Sequence, residues 1–415
     1  MRKGVMFSFI MIFITLSILS LIALQNSLVS RRREDVFIEM RINNMNNMYK
    51  SMVKDVDKSL KIITRRAVSV AFSNVSVSEG GQPPQPLDEA NETLAELILD
   101  GTLEGSDEPL MENATFTYWI NKMKELSILK GFDMDVSINL LEVKPYDYLN
   151  LLVKTELDIN ITDKQGVAEI NRTVAINSIV SLEGLEDPLY PLHTNGFGSN
   201  IIRKSPYMGN YTQLLMIGSG GNSYIYGNTT NDTSDFDDKI LITYNASEIA
   251  GLSNAKGVIS ETDIVTPISI PYLVNSSALS IIPNDMNVLL DGDDGKVWFI
   301  DNLIEDTKNS YYHPSVSGPS YLDRLEGKFV TQNKYKSQTN NTIGLESFVN
   351  KLDLYFTGIS VIEEKTNIDY IYFSSNYPTS NKVKGLDLQD PDPYFRIDNE
   401  DGHEQVYNVT ELVIS

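Results

Sequence analysis

Cysteine is absent from the 415 residues, which removes disulfides, thiol nucleophiles and thiolate metal sites together. That absence leaves an extracellular location open, because a large ectodomain can rely on its own core. Histidine occurs three times, as His193, His313 and His403, with no ligand spacing between them, so each is expected at the surface or in a capping role and not on zinc. Positive charge is scarce beyond the N-terminal stretch. Residues 1–66 hold 12 Lys and Arg against 5 Asp and Glu, or +7, and the remainder holds 22 against 51, or −29. An acidic body of this kind repels phosphate backbones and anionic lipid, so nucleic acid is not an expected partner. Proline and glycine are missing throughout residues 5–78, and no internal repeat of fixed period occurs.

Within that unbroken stretch, residues 5–24 are apolar except for Ser8, Thr15, Ser17 and Ser20. Twenty helical residues at about 1.5 Å each reach about 30 Å, enough to cross the hydrocarbon core of a bilayer. The next part is amphipathic. Phe37, Met40, Met45, Met48, Met52, Val56, Leu60, Ile63, Ala67 and Val70 recur three to five apart, with Lys, Arg and Asp between them. One long helix over residues 5–78 is therefore expected, lying in membrane lipid over its first third. No second apolar run of spanning length follows and no C-terminal lipid-anchor signal is read, so a single crossing is expected.

The body's side of the membrane is argued from glycosylation sequons. N-x-[ST] occurs at Asn74, Asn91, Asn113, Asn160, Asn171, Asn210, Asn228, Asn231, Asn245, Asn275, Asn340 and Asn408, more often than the Asn, Ser and Thr content alone would supply. The expectation is a cytoplasmic N-terminus and an extracellular body. Arg2 and Lys3 agree with that topology, whereas Arg31, Arg32 and Arg33 pull the other way.

Met1-Arg2-Lys3-Gly4, followed at once by a spanning apolar segment and a long amphipathic helix, resembles the N-terminus of type IV pilins and pilin-like proteins, including the archaeal class III signal peptides. The resemblance covers about the first 70 residues. It implies a leader of residues 1–4, cut by a prepilin peptidase between Gly4 and Val5, and partnership with other pilin-like subunits through the N-terminal helix. Glycine suits a protease cleft because it brings no side chain, and Arg2 with Lys3 keeps the leader on the cytoplasmic side. Many bacterial pilins carry Glu at the fifth mature position. Phe9 stands there in this chain, as in some minor and archaeal members, which points away from a main-shaft subunit. The alternative is an uncleaved signal anchor carrying an ectodomain that binds or senses a ligand.

Beyond residue 78 the expected fold class is α+β. Residues 79–115 read as a linker, broken by Gly80, Gly81, Pro83, Pro84 and Pro86, and then a helix over 87–99. Residues 116–190 read as a helix over 116–129, stopped by Gly131, and an antiparallel meander over 134–143, 149–161 and 167–182. Residues 191–415 read as a second, mostly β extracellular unit, with short strands over 240–244, 258–260, 288–290, 296–301, 352–356, 368–373 and 405–409. Gly318 and Gly327 bracket an expected helical turn.

Few groups read as chemistry. Gly218-Ser219-Gly220-Gly221 lacks the Lys and Ser/Thr of a phosphate loop and reads as a flexible loop. Ser320 has His313 and Asp323 nearby in sequence but no nucleophile elbow. Asp291, Asp293 and Asp294 sit on a Gly-bent turn that could offer carboxylates to Ca²⁺, as could Asp387, Asp390, Asp392, Asp398, Glu400 and Asp401. The first of these clusters lacks the EF-hand register and reads first as a hairpin turn. The 21 tyrosines suit either a β core or an adhesive face. No catalytic residues and no enzyme are expected; the function expected is a minor or tip subunit of a pilus-like assembly, acting in assembly or adhesion.

Overall fold

The computed structural model describes residues 2–76, 83–215, 223–226, 239–243, 257–260, 268–269, 287–291, 296–375, 378–387, 394–399 and 401–414. A single helix, α1, runs from Arg2 to Ser76, 75 residues without a break. At about 1.5 Å per residue it is about 110 Å long, far beyond what a bilayer needs. The chain as a whole divides into two compact units: Met1–Ala67 with Leu94–Val143 and Val153–Ile179, and Val68–Thr93 with Lys144–Leu152 and Val180–Ser415.

In the first unit the buried face of α1 carries Met45, Met52, Val56, Leu60, Ile63 and Ala67, most of the stripe seen in the sequence. Phe37 and Met40, from the start of that stripe, remain exposed. Helix α2 (Ala90–Leu99) contributes Leu94, Leu97 and Ile98 to this core, and α3 (Phe116–Leu129) contributes Phe116 and Ile120. Helix α3 begins where Thr115 Oγ1 accepts from the Tyr118 amide at 3.1 Å. It ends before Gly131, whose φ of +83° only glycine takes at low cost. Strands Phe132–Asp147, Asn150–Asp163 and Glu169–Ser181 form a three-stranded sheet in chain order. Two residues join the first pair, a connection that only antiparallel strands allow. Residues 153–163 alternate buried and partly exposed almost without exception, as expected of a strand with one covered face.

The second unit is a mixture of short helices and small sheets. Strands Tyr312–Ser315 and Gly344–Ser347 pair antiparallel, placing His313 opposite Glu346. Strand Asn381–Asp387 lies between Tyr394–Ile397 and Val413–Ile414, antiparallel to both. Strands 213–215, 268–269, 287–291 and 296–299 form a four-stranded antiparallel sheet, while 223–226, 239–243 and 257–260 form a parallel one. Trp298, Ile300, Leu303, Phe348, Ile368, Phe395 and Tyr407 belong to one continuous apolar core.

Several expected elements differ. Among the described residues, 191–415 hold six short α-helices beside twelve short strands, so helix enters a region expected as mostly β. Lys351–Phe356, Asp369–Phe373 and His403–Val406 are helical where strands were expected. The first is set by Asn350, whose side chain accepts from the amides of Leu352 and Asp353 at 3.1 and 3.4 Å. Helix α2 starts at Ala90 and not at Leu87, because the Leu87 amide donates to Leu325 O at 2.9 Å and Ala90 N donates to Glu326 at 3.0 Å. The turn at Tyr321–Leu325 forms as expected, opened by a reciprocal cap between Ser320 and Asp323. Residues 79–82 of the expected linker lie outside the described residues, and 83–87 follow without regular structure.

Candidate functional site

The N-terminal part of α1 is one helix long and apolar enough to cross a membrane, with a best window of mean hydropathy 2.0 of which nothing is buried. Phe13 is 75% exposed and Leu21 69%, so protein packing does not account for these side chains. Two of the polar residues in the run are satisfied inside the helix: Thr15 Oγ1 donates to Met11 O at 2.7 Å and Ser17 Oγ to Phe13 O at 2.8 Å. Such back-bonding lets a hydroxyl enter hydrocarbon without an unpaired polar group. Gly4 and Val5 lie in the first turns of the same helix.

Farther along, polar contacts lock α1 within the first unit. The Arg41 guanidinium binds Asp163, donates to Gly131 O at 3.0 Å and lies over the Phe132 ring at 4.9 Å. Ser178 Oγ donates to Asp57 Oδ1 at 2.8 Å, and Arg66 Nε donates to Leu110 O at 2.6 Å. Asp57 and Arg41 thus reach residues 121 and 122 positions away, which holds the helix in register against the sheet. Beside α1, Ile62, Arg66, Asn113, Tyr118, Trp119 and Lys122 line a cleft of about 290 Å³.

The second unit buries an unusual number of charges. Arg324, fully buried, binds Asp187 and donates to Asp369 at 2.9 Å and to Leu345 O. Tyr312 OH donates to Asp187 at 2.7 Å and Ser347 Oγ to Asp369 at 2.8 Å. Burial, set against the Arg324 charge, leaves the Asp369 carboxyl above the ordinary carboxylate range. Nearby, His313 Nε2 stands 2.5 Å from Asp306 Oδ2, its Nδ1 is 2.6 Å from Tyr211 OH, and Ser205 Oγ donates to Asp306 at 2.7 Å. His403 lies between Asp398, at 3.0 Å from Nδ1, and Glu346, at 3.3 Å from Nε2. Burial alone would disfavour its charge, but hydrogen bonds to the two carboxylates push His403 up to about 10. Burial alone would raise Glu346, but the hydrogen bond and charge of His403, together with hydrogen bonds from Ser315 and Tyr407, hold it below its usual value.

His313 and His403 are therefore core residues with carboxylate partners, which corrects the expectation of surface or capping roles. His193 is exposed and packs its ring against Phe329 and Phe373. His313, His403, Asp306, Asp398 and Glu346 are each at most 3% exposed, and none of the five clefts of 120 to 390 Å³ described here is lined by any of them. Each carboxylate instead has a hydrogen-bonding partner inside the core. The Ser320, His313 and Asp323 grouping does not assemble: Ser320 caps its own helix through Asp323, while His313 faces Asp306.

Eight of the twelve sequons fall on described residues. Asn74, Asn113, Asn171, Asn210, Asn340 and Asn408 are exposed, and Asn91 and Asn160 are half-buried. Asn228, Asn231, Asn245 and Asn275 lie outside the described residues, as do Gly218 to Gly221 and the carboxylates of Asp293, Asp294, Asp390, Asp392 and Glu400. Asp291 ends the strand 287–291, and Asp398 is committed to His403. Tyr312, Tyr370 and Tyr372 are buried, which fits a core role.

The arginine hub left one trace in the sequence, a charged pair inside the otherwise apolar Tyr321-Leu322-Asp323-Arg324-Leu325. Arg41, Asp57 and their partners left none, being ordinary charges on an amphipathic helix. No protein-family model, curated protein or solved structure matches the chain.

Proposed function

We propose that the chain is a pilin-like, single-pass surface protein, a minor or tip subunit of a pilus-like assembly that acts in assembly or adhesion through contacts and not through bond-making. The observation that carries this reading is the uninterrupted α1, whose exposed apolar start passes without a break into a segment packed in the first unit. A separate anchor would tolerate a flexible joint between membrane and body; a rod that must align with neighbouring rods gains from having none. The size of the body supports an end position, because bulk is easier to place there than around every shaft subunit. On this reading the leader ending at Gly4 is removed by a prepilin peptidase, and the body is extracellular.

Sequencing the N-terminus of the protein from its own membranes tests the proposal. A chain beginning at Val5 is the expected result. A chain beginning at Met1 overturns it in favour of an uncleaved anchor carrying a ligand-binding or sensing ectodomain.

A further inference from the structure

We infer that an N-linked glycan on Asn113 seats its first sugars in the cleft between α1 and α3, an inference that rests on the reading of the body as exported. Asn113 itself lines this cleft, with Tyr118 and Trp119 from α3 and Ile62 from α1. Ile62 is 71% exposed although Leu60 and Ile63 beside it are buried, so the face is apolar and uncovered. Pyranose rings present apolar C–H faces that stack on aromatic side chains and hydroxyls that bond to charged ones. Arg66 and Lys122 border the cleft; Arg66 Nε donates to Leu110 O and Lys122 Nζ to Glu125, and the further N–H groups of each side chain can donate to those hydroxyls.

The attachment point is built for display. Asn113 takes φ +59°, a conformation that asparagine tolerates better than most residues and that turns the chain sharply ahead of α3. Its side chain is exposed, and among the described residues nothing hydrogen-bonds to it. Other sequons differ. Asn408 Nδ2 donates to Thr212 O at 3.2 Å, and Asn91 Oδ1 accepts from Tyr335 OH at 3.1 Å. Asn340 borders a cleft that no aromatic side chain lines. Modification joins Asn113 Nδ2 to the anomeric carbon of a lipid-linked oligosaccharide: an N–C bond forms, the C–O bond to the lipid phosphate breaks, the phosphate leaves with the lipid, and the amide gives up one proton.

Thr115 permits a clean test because it serves both the sequon and the cap of α3. Thr115→Asp keeps a capping oxygen and deletes the sequon, Thr115→Ser keeps both, and Asn113→Asp removes the acceptor at a position where aspartate tolerates positive φ. Glycopeptide mass spectrometry of the full-length protein, isolated from the cells that make it, is expected to find Asn113 occupied. Thr115→Asp and Asn113→Asp are expected to lower the thermal midpoint by a few degrees and to open Trp119 to acrylamide quenching, while Thr115→Ser matches the native protein. Trp298 is buried and contributes little to quenching. A bare Asn113 beside other occupied sequons overturns the inference and leaves export standing. An occupied Asn113 whose removal changes neither midpoint nor quenching overturns the seating in the cleft. A chain without any glycan overturns the inference and removes the sequon argument for export as well.

Discussion

At Arg324 the cost of burying one cation is offset by two carboxylates and a carbonyl, and Asp369 in turn takes a hydroxyl from Ser347. Removing one member of such a set strands the others in low dielectric. Arg324→Met is therefore expected to destabilise the protein by about 3–5 kcal/mol, read as a lowered urea midpoint in detergent; an unchanged midpoint would show that water reaches the two aspartates. His403 makes a pH prediction. Its pKa is raised from an unfolded value of about 6.5 to about 10 in the fold. The stabilisation is thus fully present below pH 6.5 and is lost as pH rises toward 10. Urea midpoints measured from pH 6 to 9.5 are expected to fall in the native protein and to fall less in His403→Gln. Apart from Asp398, five positions from His403, these pairings were not legible beforehand, because the partners of Arg324 are 137 and 45 positions away and Glu346 is 57 from His403. Proximity of that kind is a product of folding.

At the scale of elements, legibility followed how local the determining pattern is. Helix α3 and the meander were readable within a few residues because a terminating Gly131 and regular alternation lie in the segments themselves, and the Thr115 cap adds to them. Residues 352–356 and 368–373 were expected as strands, since five or six residues that are apolar and aromatic apart from one Asp fit either period. Asn350 was the available signal for the first, and Asp369 turned inward to Arg324 decided the second. Gly131 also carries a tertiary constraint, because an added Cβ would meet the Arg41 guanidinium at 3.2 Å. Gly131→Ala is expected to cost about 1–3 kcal/mol through its positive φ, with a further loss where it displaces Arg41 from Asp163. Leu60→Ala, in the buried stripe of α1, is expected to cost about 2–5 kcal/mol, measured by thermal unfolding, and a loss below 1 would mean that α1 is not part of that core.

For the whole molecule, the start of α1 is long and apolar enough to cross a membrane. Deletion of residues 1–24 is expected to move the protein from the detergent phase to the aqueous phase while near-ultraviolet circular dichroism of the body is retained; loss of that signal would mean the body needs its anchor to fold. Hydropathy and helix continuity over residues 2–76 were set by the sequence alone, because spanning length and the lack of a helix breaker are additive, nearest-neighbour properties. The α+β character was equally visible, as was the charge contrast between stem and body. Only the tertiary structure decided that two of three histidines are buried against carboxylates, that residues 191–415 are mixed, and that Asn113 stands at an aromatic cleft. Each of those depends on which distant segments meet, and burial energies are fixed by that meeting and not by composition.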